Sequence, residues 1–183
     1  MRLFIAINFD AAVRGDLAAV GDELRRRSIG GTFTLPENLH LTLAFLGESD
    51  QYQLSAARAA MDAVTFDPFE LRIEGIGQFK RANPRSGDLW WAGVKKSEVL
   101  LQLQADLVRH LRDAGIELEH RKYKPHVTLG RQIVLNEKVA HGGLLGVSIS
   151  QQVEQFQLMQ SERIADRLTY TPLHTTTARY LLQ

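Results

Sequence analysis

A chain of 183 residues with 44% apolar and 23% charged residues holds enough material for a packed core and is too apolar to stay disordered. The absence of cysteine removes disulfides, thiolate nucleophiles and cysteine metal sites, and agrees with a reducing cytoplasm. A formal net charge of +1 excludes a chain-wide polyanion binder, so any nucleic-acid contact must come from local basic clusters.

The first segment, "MRLFIAINFD", is too short for a signal-peptide core, and no stretch is long enough to span a membrane. Residues 2–9 read as a buried strand. Asp10 then suits a helix N-cap, and Val13, Leu17, Val20 and Leu24 follow at helical spacing. Arg25, Arg26 and Arg27 sit in the last turn, where cations favour the helix dipole, and "SIGG" is read as the stop. The turn "PEN" leads into a strand at 38–46, closed by Gly47. A second helix is predicted over about 50–64.

"FELRIEGIGQF" and "DLWWAGVK" alternate as strands around the basic loop "KRANPRSG". Ser97 or a neighbour opens a third helix, with Val99, Leu103, Leu107 and Leu111 in register and "DAG" as its end. The strand around His126 follows, then an irregular region containing "HGG" at 141–143, then strands near 153–160 and 168–181. Helices and strands do not alternate strictly, which predicts an α+β fold with antiparallel strands.

Two strands carry the same unusual pattern. "ENLHLTLAFLGE" places His40 and Thr42 on one face and Leu41 and Leu43 on the other, because residues i and i+2 of a strand point the same way. "KPHVTLGR" repeats it, with His126 and Thr128 against Val127 and Leu129. The apolar set anchors each strand, and the polar set is free to face a common cleft. A lone strand histidine is usually structural. An apolar-flanked H-x-T is expected by chance about 0.05 times in such a chain, so two copies arise roughly once in a thousand. A third match, His174 and Thr176, lacks the apolar flanks and reads as ordinary terminal strand.

Two imidazoles in one cleft supply a base and an acid near neutral pH. In-line displacement at phosphorus needs both at once, one to activate the nucleophile and one to protonate the leaving oxygen. Threonine hydroxyls either donate to non-bridging phosphate oxygens or orient the rings. Metal binding is the rival use of paired histidines, and it is disfavoured here because no Asp, Glu or Cys stands at ligand spacing on these strands.

"NLHLTLAFLGE" and "YKPHVTLGR" resemble the tandem signatures of the two-histidine (2H) phosphoesterase superfamily. "RLFIAI", "RSGDLWWAGV" and the late "QSE" further resemble its RNA 2′,3′-cyclic phosphodiesterase branch, also called 2′-5′ RNA ligases. The resemblance implies a two-lobed α+β fold, residues 1–183 as one bilobal domain, with a pseudo-twofold axis, antiparallel sheets around a central cleft and helices outside. It implies hydrolysis, without metal or cofactor, of an RNA or oligonucleotide 2′,3′-cyclic phosphate end to a 2′-phosphate, with 2′-5′ ligation as a reverse reaction. His40 would match the acid, His126 the base, and Thr42 and Thr128 the phosphate contacts.

Arg131 sits where the family has a phosphate-contacting basic residue. A regular strand would turn it away from the cleft, so it needs a bulge or a strand end, which Gly130 could supply; the alternative is a solvated arginine. Lys80, Arg81 and Arg85, and Arg121, Lys122 and Lys124, are candidate steering charges, and Tyr123 or Phe45 candidate base-stacking residues, each weighed against a solvated or core role. Trp90 and Trp91 are expected to split between core and surface, and His110, His120 and His141 receive no role. A cytoplasmic monomer without membrane contact is expected. The rival functions are a related 2H phosphoesterase acting on cyclic ADP-ribose phosphate or 2′-5′ oligonucleotides, and a non-catalytic RNA-end binding module.

Overall fold

In the computed structural model, residues 1–83, 86–136 and 148–179 are described. Strand β1 (Arg2–Asn8) is followed by helix α1 (Ala11–Arg26), β2 (Ser28–Phe33), a 3₁₀ turn over Pro36–Asn38 and β3 (His40–Glu48). Then come α2 (Gln51–Asp62), β4 (Phe69–Phe79), β5 (Asp88–Val94), α3 (Glu98–Asp113), β6 (His126–Leu135), β7 (Ser148–Val153), β8 (Gln155–Ile164) and β9 (Arg167–Thr177).

The helix starts follow from their caps. Asp10 accepts the Val13 N–H at 2.8 Å, Asp50 forms a reciprocal capping box with Gln53, and the Ser97 hydroxyl accepts from Leu100. "SIGG" is not a stop. The helix ends at the Arg27 cap, and the segment forms β2 by pairing with β6, since the register offered by that long strand outweighs two glycines. In α3 the buried stripe begins at Leu100, while Val99 is exposed, one position off the expected face. The short β7 was not anticipated; it pairs with β4.

All nine described strands join one antiparallel sheet in the order β7-β4-β5-β6-β3-β1-β8-β9, with β2 added beside β6. The α+β class, the two lobes and the pseudo-twofold relation are present, but the expected separate sheets are one continuous, curled sheet. Its seam is the Leu41–Val127 pair of β3 and β6. On one side lie β3, β1, β8 and β9; on the other lie β6, β5, β4 and β7. Each seam strand is preceded by a strand and a helix, β1–α1 for β3 and β5–α3 for β6. The helices exchange sides, α1 packing against β6 and α3 against β3.

Buried stripes of the three helices form a single apolar cluster with Leu41, Leu43, Val127 and Leu129. That core lies on one face of the sheet. The alternating residues His40, Thr42, His126 and Thr128 are therefore left to the opposite face, each only partly buried. No helix among the described residues is long and apolar enough to cross a membrane.

Candidate active site

The seam register determines the site. With Leu41 paired to Val127, antiparallel geometry sets His40 opposite Thr128 and Thr42 opposite His126. The two histidines are diagonal neighbours on one face, a relation that puts Cα atoms about 7–8 Å apart. The paired motifs thus meet side by side on one face of the sheet.

Each ring is oriented by a carbonyl two residues upstream. His40 Nδ1 lies 2.7 Å from the Asn38 oxygen, and His126 Nδ1 lies 2.7 Å from the Lys124 oxygen. A carbonyl only accepts, so both Nδ1 atoms carry hydrogen and both Nε2 atoms are the exchangeable positions. His40 Nε2 is 3.0 Å from Thr42 Oγ1, whose hydroxyl donates to it in the neutral ring. Thr42 therefore orients a ring in this state, one of the two roles open to it from sequence. Its own backbone is anchored by the Tyr123 hydroxyl, which donates to the Thr42 oxygen at 2.9 Å. Burial pushes the Tyr123 phenol up, and its ring packs against the core, so it is a support and not a stacking surface.

Aromatic rings back both histidines. Phe4 and Tyr170 stand 4.8 and 5.3 Å from the His40 ring, and Phe79 and Trp91 stand 5.1 and 6.3 Å from His126. Trp90 is buried and Trp91 lies toward the cleft, the split expected of the pair. Trp91 spreads over Gly77, where any Cβ would fall 2.2 Å from the indole. The roles of Phe4 and Phe79 escaped the sequence reading, because each looks like an ordinary strand aromatic until its neighbours are known.

This surrounding disfavours charge on both rings. Burial pulls His40 down to about 4, opposed by the Asn38 carbonyl and reinforced by the Arg131 cation and by His126 when that ring is protonated. His126 is also lowered, again mainly by burial, with Arg131 and Arg121 adding to it. Arg131 therefore acts on both histidines, although a regular β6 would aim it elsewhere. The irregularity is real: Trp90 pairs with Gly130 and Asp88 with Ile133, so one extra residue of β6 is accommodated there. Gly130 lies between the two register shifts, where a bulge is expected, and a Cβ there would meet the Ile133 side chain at 2.8 Å; the left-handed residue beside it is Gln132, with φ of 56°.

The other candidates scatter. Lys124 lies 5.9 Å over the Phe79 ring beside His126, whereas Arg121 pairs with Glu119 on the surface. Lys80 and Arg81 line a shallow cavity behind the β6 bulge. Phe45 is exposed beside Phe4. His174 pairs with Asp62 at 2.7 Å, a terminal-strand role as expected. Arg85, His141 with "HGG", and the end of the last predicted strand at 180–181 lie outside the described residues. Among the described residues no three His, Cys, Asp or Glu side chains converge as a metal-ligand set.

The family model for the 2′-5′ RNA ligase superfamily matches residues 14–164, which include both motifs. The chain belongs to that superfamily. A relative from Archaeoglobus fulgidus, called RNA 2′,3′-cyclic phosphodiesterase, is 36% identical over 140 residues, covering 76% of this chain and 77% of the relative. One of the same name from Thermotoga maritima is 36% identical over 134 residues, 72% of this chain and 70% of its own. Crystal structures of Escherichia coli LigT superpose with a TM-score of 0.79 in the apo form, at 27% identity and 98% coverage of both chains. The form of LigT complexed with 3′-AMP gives 0.75, at 26% identity and the same coverage.

Proposed function

We propose that this superfamily member hydrolyses the 2′,3′-cyclic phosphate at an RNA end to a 2′-phosphomonoester, with His126 as general base and His40 as general acid. The observation that carries the reading is the seam itself. Two H-x-T strands lie side by side, each histidine tied through Nδ1 to a carbonyl and each with Nε2 left to exchange a proton. Similarity to proteins called RNA 2′,3′-cyclic phosphodiesterase supports the substrate class.

In the reaction, neutral His126 Nε2 takes a proton from water as the water oxygen bonds to phosphorus. The P–O3′ bond breaks on the opposite side, and O3′ takes the proton of His40 Nε2. The P–O2′ bond is kept. Thr42, Thr128 and Arg131 contact the non-bridging oxygens, where charge builds. The register shifts of β6 beside Arg131 and its influence on both histidines support this role, and as a cation it also offsets the charge of the incoming phosphate. A 5′-hydroxyl in place of water would leave a 2′-5′ linkage by the same steps, which is the ligation reaction. Residues 1–183 act as one bilobal monomeric unit, because both lobes contribute to a single cleft.

The test is turnover of a nucleoside 2′,3′-cyclic phosphate, with the product isomer read by phosphorus NMR. A 2′-phosphate is expected. A 3′-phosphate would reverse the leaving oxygen. Binding without any turnover would establish the non-catalytic module instead.

A further inference from the structure

A cavity of about 210 Å³ lies next to the His40 position, lined in part by its chain neighbour Leu39. It is smaller than the roughly 300–1,000 Å³ of a pocket for a whole ligand, so it fits part of a ligand whose remainder lies elsewhere. Asn8, Arg14, Glu37, Gln157 and Tyr170 contribute to its lining. Two of these tie it to the catalytic strand: Asn8 is the β-pair partner of His40, and the Tyr170 ring stands edge-on to the His40 ring at 5.3 Å.

The charges in the cavity are unequally committed. Glu37 is paired with Arg167. Its carboxyl is held below the usual range by its own backbone N–H, by Arg167 and by Arg14. The Glu37 carboxylate is committed to Arg167, so the charge of Arg14 is left without a contact partner at the cavity. Among the described residues the Arg14 guanidinium makes no ion pair or hydrogen bond, while the backbone N–H of Arg14 donates to the Asp10 oxygen within the helix. It also stands in the first turn of α1, where the helix dipole opposes a cation. A half-buried arginine so placed is poorly explained by stability and well explained by an anion.

The direction of the reaction says which anion. If O3′ leaves toward His40, the ribose that carries it lies on the His40 side of phosphorus, and water enters from the His126 side. The chain of an RNA continues from the 5′ carbon of that same ribose. The preceding phosphodiester must therefore lie on the His40 side, where this cavity is. Resting on the function proposed above, we propose that the cavity is a subsite for the nucleotide preceding the reactive end, with Arg14 contacting its phosphodiester. The enzyme is then selective for oligonucleotide ends over mononucleotides.

The experiment compares kcat/KM for a nucleoside 2′,3′-cyclic phosphate with that for a dinucleotide bearing the same end, and measures affinity for the two matching 2′-phosphates. The native protein is expected to favour the dinucleotide in both measurements. Arg14→Gln should reduce that ratio about tenfold, the effect of losing one charge-assisted hydrogen bond, and Arg14→Lys should restore most of it. The salt dependence of dinucleotide binding should fall by about one counterion in Arg14→Gln. Retained mononucleotide turnover shows each variant to be folded. An unchanged ratio in Arg14→Gln, or a ratio lowered only by Lys80→Gln with Arg81→Gln, would overturn the subsite. No turnover of either substrate by the native protein would instead refute the proposed reaction, while the binding ratio still decides the subsite.

Discussion

The His40 ring is pulled down to about 4, yet the proposed acid must carry a proton when the leaving oxygen departs. At pH 7 the free protein then has His40 protonated in about one molecule in a thousand, a deficit of roughly 4 kcal/mol at 1.36 kcal/mol per pH unit. The substrate can supply this amount. One negative charge about 4 Å from the ring contributes roughly 4 kcal/mol at an effective dielectric constant near 20. The cyclic phosphate should thus load its own acid, raising the His40 midpoint by about three units. The perturbation is saturation with a nucleoside 2′-phosphate, and the assay is an NMR pH titration of the imidazole resonances of both histidines. In the free protein His40 should titrate near 4, and in the complex near neutrality. Kinetics should agree, the alkaline limb of kcat lying above that of kcat/KM, with both limbs assigned to the coupled pair. A His40 midpoint that stays near 4 with the phosphate bound would refute substrate loading and with it the acid assignment, whereas a free-protein midpoint at or above 6.5 would refute the loading alone.

His40→Ala and His126→Ala should each lose about 10²–10⁴-fold in turnover and combine non-additively, and an aryl phosphodiester with a good leaving group should rescue His40→Ala selectively; rescue of His126→Ala instead would exchange their roles. Arg131→Gln should raise both histidine midpoints, since the guanidinium lowers both, and weaken phosphate binding; the NMR titration reads the first effect and calorimetry the second. Because His40 falls from 6.5 to about 4 on folding, the unfolded chain binds the proton first, so this contribution is full above 6.5 and is lost as pH drops toward 4, about 3 kcal/mol in urea melts that His40→Gln should remove. Gly87→Ala should cost about 1–3 kcal/mol of stability and depress turnover, since φ is +65° and the new Cβ would lie 2.4 Å from the Gln132 carbonyl carbon beside the Arg131 bulge. Exhaustive chelation should leave turnover unchanged, and loss restored by zinc or manganese would point to a metallophosphoesterase.

The alternation of "HLTL" and "HVTL" was enough to split each strand into a core face and a polar face, and Asp10 and Ser97 marked two helix starts correctly. What brings His40 next to His126 is the Leu41–Val127 pair, a contact across 86 residues that leaves no local trace. β2 was missed because its partner, the far half of β6, compensates for a glycine pair that alone reads as a breaker. The irregularity around Arg131 includes a positive φ at Gln132, a residue type that does not announce it. The aromatic support of both rings joins residues as distant as Phe4 and Tyr170, and only the sheet order unites them.

Apart from β2, the strands of one lobe, β4 to β7, follow one another in sequence, but the other lobe is assembled from both ends of the chain. β1 has β3 on one side and β8 on the other. During synthesis the β1–β3 pair is therefore available roughly a hundred residues before β8 emerges. At about 5–20 residues per second that interval is on the order of 5–20 s. Over it the hydrogen-bonding edge of β1 stays open, a standing invitation to intermolecular pairing. Pairings so distant in sequence also slow closure itself. The nascent chain is thus most exposed to aggregation just before its last two strands arrive, and a chain arrested before Gln155 keeps that exposed edge.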